Sequence, residues 1–464
     1  MNQVKRKFEV PHVYILLMGL IFLCSVLSYV IPAGQYDMTT VSGREVIDST
    51  TYHEVESTPV TVMQLLSAVP RGMTESAQII FFIFIVGGAF AIIQDTGAIE
   101  AGIGSLIGKL NGKTLVIIPV ILTLFSLGGA VFGMSEETIP FIPIFVSLCI
   151  AMGYDSITGA AIVLCGSAAG FAGAFMNPFT LQVAQGIAEL PILSGMEFRI
   201  VMFVVYLVAT SAFVMWYACR VRKDPEKSPM YEFDKSREDI VDLKDIKAFG
   251  SKEKIILCVF LAAILLLVYG VVTWGWYMDE ISALFFGMSI VVAAVARMTP
   301  NEFANKFGKG MAEIASGALV VGFARGVLVV LTDGNILYTI LHAAASVLEK
   351  LPSMASALGM YIFQCLLNFL VPSGSGQAAV SIPIMAPLGD LVGVTRQTAC
   401  IAFQIGDGLS NIFTPTSGFF MAGLALAKIP WTKWAKWLLP LIGIQYLIGA
   451  VFVAAAHLMA LGPF

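Results

Sequence analysis

The chain has 464 residues, 58% of them hydrophobic and only 12% charged. A soluble domain carries about 25% charged residues, so this composition belongs to a polytopic membrane protein. The net charge of −4 comes without a basic tract suited to nucleic acid, which excludes that class of partner.

Lys5, Arg6 and Lys7 precede an uncharged stretch, 13–31, of about membrane-spanning length and longer than a cleavable signal core. It is read as a retained first helix, 12–32, running outward from a cytoplasmic N-terminus. Residues 33–60 are polar and form an external loop with room for a small hairpin. An amphipathic stretch, 60–72, leads into a helix at 75–94, and a weaker amphipathic segment covers 96–112. Two apolar arms, 115–133 and 139–152, flank Ser135-Glu136-Glu137-Thr138 and read as a re-entrant hairpin. The segment 156–190 is interrupted at Gly170, Gly173 and Met176-Asn177-Pro178-Phe179-Thr180. A proline there removes a helical hydrogen bond, a break tolerated at membrane depth where the freed backbone lines a cavity.

Helix 198–219 returns inward to Arg220, Arg222 and Lys223. The polar, lysine-rich linker that follows is cytoplasmic by the positive-inside rule. The second half has helices at 254–274 and 281–297, joined by the external turn Trp276-Tyr277-Met278-Asp279-Glu280. An amphipathic stretch, 300–311, precedes a helix at 313–332, and another amphipathic segment covers 335–349. Arms 354–371 and 377–391 flank Ser373-Gly374-Ser375-Gly376-Gln377. A broken segment, 397–427, is interrupted around Asn411 to Gly418, and a last helix spans 437–458.

The halves repeat. Arg71-Gly72-Met73-Thr74-Glu75 matches Lys309-Gly310-Met311-Ala312-Glu313 at a spacing of 238, and Asp95 matches Asp333 at the same spacing. Ile142-Pro143-Ile144 matches Ile382-Pro383-Ile384 at 240, and Asn177-Pro178 matches Thr414-Pro415 at 237. Counting spans gives the two copies opposite orientations, as in many secondary transporters. The expected fold is an all-α polytopic membrane protein with two inverted-topology repeats. It has about nine transmembrane segments, two re-entrant hairpins and two broken helices. The repeats occupy 1–220 and 254–464, and the linker occupies 221–253.

An ionisable side chain at membrane depth costs roughly 2.5–3.5 kcal/mol or more, so it faces a partner, a cavity or a substrate. Glu136 and Glu137 open the second arm of the first hairpin, where a helix dipole favours them by ~0.3–1 kcal/mol each. Capping and cation binding therefore both stand as roles. A guanidinium pairs bidentately with carboxylates, and the hydroxyls and small-residue N–H groups of the second tip suit a substrate carboxylate. Asp407 is read as an ion or substrate ligand, or as a lumen-facing structural acid. Arg325 pairs with Asp333 or another buried acid, or clamps a carboxylate. Asn177 and Asn411 are expected to satisfy freed backbone groups and to bind ions.

The two tips, each followed by Ile-Pro-Ile, resemble the hairpin tips of the ion transporter superfamily. More narrowly, nearly the whole chain is similar to the YfcC-type, ArcD-like basic amino acid antiporter family, related to the anaerobic C4-dicarboxylate carriers. The resemblance implies a substrate enclosed by Ser135, Glu136, Glu137 and Thr138 at one tip and Ser373, Gly374, Ser375 and Gln377 at the other. Asn177 and Thr180 come from the first broken helix, and Asn411, Thr414 and Thr416 from the second. Coupling by sodium or a proton would fall to Asp407, Asn177 and Asn411. The resemblance also implies an elevator movement against a dimeric scaffold, a lipid bilayer as surroundings and no cofactor.

Sodium/dicarboxylate symporters of that superfamily carry Ser-Asn-Thr at each tip. Here one tip is doubly acidic and the other neutral and glycine-rich. That asymmetry favours a cationic or zwitterionic substrate. The expected function is inner-membrane exchange or ion-coupled uptake of a basic amino acid such as arginine or ornithine. A C4-dicarboxylate carrier is the alternative.

Rival classes find less support. Residues 108–114 are one residue short of a P-loop and do not follow a strand. Tyr154-Asp155 and Gly406-Asp407 superficially match an intramembrane aspartyl protease, but Gln404 stands where that motif needs glycine. Seven cysteines, scattered through apolar segments without a CxxC, are expected to be free thiols. Four scattered histidines offer no metal-ligand spacing.

Overall fold

The computed structural model describes residues 13–41, 44–98, 101–102, 114–237 and 250–462. The basic N-terminus, residues 99–100 and 103–113 with nearly all of the P-loop-like stretch, and the middle of the linker lie outside the described residues. Helix α1 (Val13–Leu27) leads into a loop holding two antiparallel strand pairs. In it β1 (Gly34–Gln35) pairs with β4 (His53–Glu54), and β2 (Met38–Val41) with β3 (Arg44–Ile47).

Helices α2 (Val62–Glu75) and α3 (Ala77–Asp95) follow. The first hairpin consists of α4 (Ile117–Leu127), a π turn over Gly128–Phe132, a 3-10 turn over Glu136–Phe141 and α5 (Ile142–Ala151). The first broken helix is α6 (Ser156–Ala172) with α7 (Leu181–Ile187). α8 (Met196–Lys223) runs into the linker, which begins with the short α9 (Tyr231–Lys235). In the second half, α10 (Ser251–Tyr269) and α11 (Met278–Ala296) precede α12 (Pro300–Asp333) and α13 (Leu337–Leu348). The second hairpin is α14 (Ser353–Leu367) and α15 (Gly374–Val392), and the second broken helix is α16 (Arg396–Ser410) and α17 (Gly418–Leu426). α18 (Trp431–Leu458) ends the chain. Among the described residues five helices are long and apolar enough to cross a membrane, six if α12, bent by 40° near its middle, counts as one.

The repeat is deeper than its sequence matches. Thr61 caps α2 through a capping box with Gln64, and Thr299 caps α12 through one with Glu302, again 238 positions apart. Each box satisfies N–H groups that a helix start leaves without an internal partner. The segment 62–95 therefore corresponds to 300–333. The first copy breaks at Ser76. The second is one helix that bends by 40° between Ser316 and Ala318 instead of breaking, although a separate amphipathic stretch at 300–311 is expected from the sequence. Its first turns read as a separate surface segment because Lys306, Lys309 and Glu313 crowd them, yet the capping box starts one helix.

These copies lie antiparallel. Arg71 meets Asp333 at 2.5 Å, Glu75 meets Arg325 at 2.8 Å, and Asp95 meets Lys306 at 2.5 Å. Glycines let the backbones touch. A Cβ on Gly72 would strike the Gly322 carbonyl and lie 2.7 Å from Gly326 N, and one on Gly310 would lie 2.8 Å from the Gly87 carbonyl. Small residues at such crossings are how membrane helices gain dispersion contacts without a hydrophobic driving force between them.

Around this pair the broken helices form the centre. Every residue of α6 except Phe171, and every residue of α16 except Arg396, is buried. Gln404 joins them, donating to the carbonyls of Ala172 at 3.0 Å and Ala174 at 2.8 Å, so the first break is satisfied by the second broken helix. The linker reaches back to this assembly. The Asp155 carboxylate accepts from Tyr217 at 2.5 Å and Ser228 at 2.6 Å, Asp234 accepts from Ser156 N at 2.9 Å, and Arg237 donates to the Ala427 carbonyl.

Candidate substrate-binding site

The first tip is irregular for a local reason. The π turn ends at Gly133, which sits at φ +72°, and a Cβ there would lie 2.6 Å from Asn177 Oδ1. Only glycine takes this conformation at that spacing. Single π turns of this kind often mark functional sites. Beyond it, Ser135 N donates to Glu137 Oε2 at 3.0 Å, the Ser135 hydroxyl donates to the Glu136 carboxylate, and Thr138 Oγ1 donates to the Ser135 carbonyl at 2.5 Å. The second tip is an ordinary helix start. Ser373 Oγ accepts from Gly376 N at 3.3 Å, and α15 proceeds from Gly374.

The breaks hold their own polar network. Asn177 Oδ1 accepts from the N–H groups of Phe179 (2.8 Å) and Thr180 (3.1 Å), and its Nδ2 donates to the Gly129 carbonyl at 3.1 Å. It thus ties the first break to the first hairpin. In the second break the Thr414 and Thr416 hydroxyls lie 2.7 Å apart. Asn411 Nδ2 donates to Asp407 Oδ1 at 2.9 Å, and Asn368 Nδ2 lies 3.2 Å from the same oxygen. Gln377 belongs here too, its Oε1 lying 3.1 Å from Asn368 Nδ2. Asp407 is fully buried, forms no ion pair among the described residues, and leaves Oδ2 without a hydrogen-bond partner. Thr180 Oγ1 is also unpartnered, and a Cβ on Gly374 would lie 2.4 Å from Thr180 Cγ2 and 3.3 Å from Asp407 Oδ2.

A cavity of about 360 Å³ lies between the tips, the breaks and the antiparallel pair. Ser135, Glu136, Glu137, Ser373, Gly374 and Ser375 line it from the tips, and Thr180, Asn411 and Thr416 from the breaks. Thr138, Asn177, Gln377, Thr414 and Asp407 do not reach its wall. Thr138, Asn177, Gln377 and Thr414, expected at the substrate, lie behind the wall, where their polar groups make the hydrogen bonds just described.

Three ionisable wall residues, Glu75, Tyr277 and Arg325, lie outside the set expected to enclose the substrate, Arg325 being read from the sequence as an ion-pair partner or a carboxylate clamp. Glu75 and Arg325 face the cavity as an ion pair, and Tyr277, placed by sequence in an external turn, lines the same space at the start of α11. Asn368, behind the wall, was missed as well. An asparagine inside the apolar arm 354–371 was the available signal for it, and an arginine in mid-helix the signal for Arg325. Arg325 takes Glu75 rather than Asp333, because Arg71 occupies Asp333 with both Nη groups. Among the described wall residues there are three carboxylates, Glu75, Glu136 and Glu137, and one guanidinium. No group of three metal-ligating side chains occurs among the described residues.

With this geometry in place, comparison with known proteins is informative. The sequence profile of the C4-dicarboxylate anaerobic carrier family matches residues 10–458. The chain is 36% identical to the putative basic amino acid antiporter YfcC of Escherichia coli (strain K12), over 98% of this chain and 97% of that one. It is 28% identical to an uncharacterized protein of Haemophilus influenzae, over 97% and 98% respectively. Among solved structures, the Alcanivorax borkumensis YdaH transporter aligns with a TM-score of 0.43 at 15% identity, covering 98% of this chain and 100% of that one. Neisseria gonorrhoeae MtrF aligns with a TM-score of 0.43 at 17% identity, covering 96% and 95%.

Proposed function

The chain belongs to the C4-dicarboxylate anaerobic carrier family, a family of membrane carriers, and from that premise we propose that it exchanges basic amino acids such as arginine and ornithine. The observation that carries this reading is the charge of the cavity wall. Glu136 and Glu137 face the cavity and form no ion pair among the described residues, and Arg325 is already held by Glu75. Adjacent carboxylates in a desolvated space repel a dicarboxylate and attract a guanidinium or ammonium group. The basic amino acid named for YfcC agrees with this choice.

The buried Asp407, whose Oδ2 has no hydrogen-bond partner, is the proposed seat of a coupling sodium ion or proton, with Asn411 donating to its other oxygen and Asn177 holding the backbone of the first break. The hairpins and broken helices move together as an elevator against the pair formed by α2, α3 and α12, in a homodimer of the bacterial inner membrane with the N-terminus cytoplasmic. Residues 1–220 and 254–464 are the two repeats of this machine.

The rival reading, a C4-dicarboxylate carrier, draws on the family description and on Arg325. Proteoliposomes decide between them. Labelled arginine, ornithine and succinate are offered with and without internal counter-substrate and a sodium gradient. Arginine uptake that accelerates with internal ornithine is expected. Uptake of succinate but not arginine would overturn the reading, and absence of counterflow would point to a channel.

A further inference from the structure

Arg325 is the sharpest departure from the internal repeat. Its counterpart 238 positions earlier is Gly87, which packs against Ile314. The acid beside it is present in both copies. Glu75 faces the cavity, whereas its counterpart Glu313 lies near Lys309 at 3.9 Å and Lys428 at 3.7 Å. One half therefore adds a guanidinium to the cavity wall where the other has none.

A guanidinium has five N–H donors in a planar fork. Arg325 uses Nε on Glu75 Oε2 at 2.8 Å, and its two Nη groups have no hydrogen-bond partner among the described residues. Its side chain is 43% exposed and lines the cavity. Glu75 neutralises the charge and fixes the plane of the fork, while the Nη edge stays available for a bidentate carboxylate.

We propose that Arg325, on the stationary side of the elevator, is a substrate-binding residue that Glu75 orients. It receives the α-carboxylate of the amino acid while the two tips face it and gives it up when they move. This rests on the basic amino acid reading, in which Glu136 and Glu137 take the cationic end. The carrier then selects molecules with both an anionic and a cationic end and discriminates against the decarboxylated amine.

The test compares wild type, Arg325→Gln and Arg325→Lys in proteoliposomes. Each is assayed for labelled arginine uptake and for its inhibition by arginine, by agmatine (arginine without its carboxylate) and by succinate. Wild type is expected to prefer arginine over agmatine by at least about tenfold. Loss of a charge-assisted contact should weaken arginine by about 10- to 100-fold in Arg325→Gln while leaving agmatine within about twofold. Arg325→Lys should raise KM for arginine with little change in kcat, since it keeps charge but not the fork. Equal loss of arginine and agmatine, in variants that melt like wild type, overturns the assignment. A wild type that takes succinate and ignores arginine defeats the basic amino acid reading instead. A loss of succinate in Arg325→Gln would then still support the carboxylate contact.

Discussion

At the scale of single residues, the two tips show how one motif serves different ends. Ser135 and Ser373 are repeat partners, but only Ser373 caps the turn that follows with its hydroxyl, whereas the Ser135 hydroxyl donates to the Glu136 carboxylate. Only the first is followed by acids. Glu137 has a structural share, because it accepts from Ser135 N at 3.0 Å and is nearly fully buried. Glu136 accepts from the Ser135 hydroxyl and faces the cavity. Glu136→Gln is therefore expected to lower arginine uptake by at least about tenfold with little change in melting temperature. Glu137→Gln should lower both, and a normal uptake rate in the double variant would remove the tip from the site. Asp407→Asn keeps the shape and the bonds to Asn368 and Asn411 within reach. It should abolish stimulation by a sodium or proton gradient while arginine-for-ornithine exchange persists, as measured by counterflow at zero gradient.

At the scale of elements, the caps and crossings are where sequence and packing meet. Thr299→Ala removes one half of a capping box and should lower stability by about 1 kcal/mol, seen as a lower melting temperature in detergent. Gly72→Val places two methyl groups into the backbone of α12. Overpacking costs about 1–3 kcal/mol, and the Gly322 carbonyl cannot turn aside as a side chain would, so the upper end is expected. The hairpins, breaks and repeat were legible because each leaves a local trace: Pro and Asn in an apolar run, Ile-Pro-Ile after a tip, Gly-Met before an acid. Three features were not legible. The Glu75–Arg325 pair joins residues 250 positions apart, and either partner alone reads as a surface or buried charge. Tyr277 follows a left-handed Gly275 that turns the chain inward, which composition does not reveal. Helix α12 was divided because its charged start looks like a surface segment, whereas in the fold Lys306 pairs with Asp95 of α3 and Glu313 lies near Lys309 and Lys428.

At the scale of the molecule, the antiparallel pair makes orientation testable. With the N-terminus cytoplasmic, the Arg71–Asp333 end faces outward and the Asp95–Lys306 end inward. Cysteine placed at Thr50 in the loop after α1 should react with a membrane-impermeant maleimide in intact cells, and cysteine at Lys227 should react only after lysis. Labelling of both in intact cells would reject the topology. The linker adds a mechanical link. Its contacts run through Asp155, Ser156 and Ala427, which belong to the first and second broken helices, so residues 224–237 should travel with that unit.

A carrier built from two identical inverted halves would have outward- and inward-facing states of equal energy, each the mirror of the other. This chain departs from that identity at Ser76, at Glu136 and Glu137, at Arg325 and at Asp407, and all of these gather at one cavity or directly behind it. The empty protein therefore has a side on which it rests. With the site as proposed, the free-energy gap between its two faces is set by the same few side chains proposed to meet the substrate, so a change that alters selectivity should also shift the resting side.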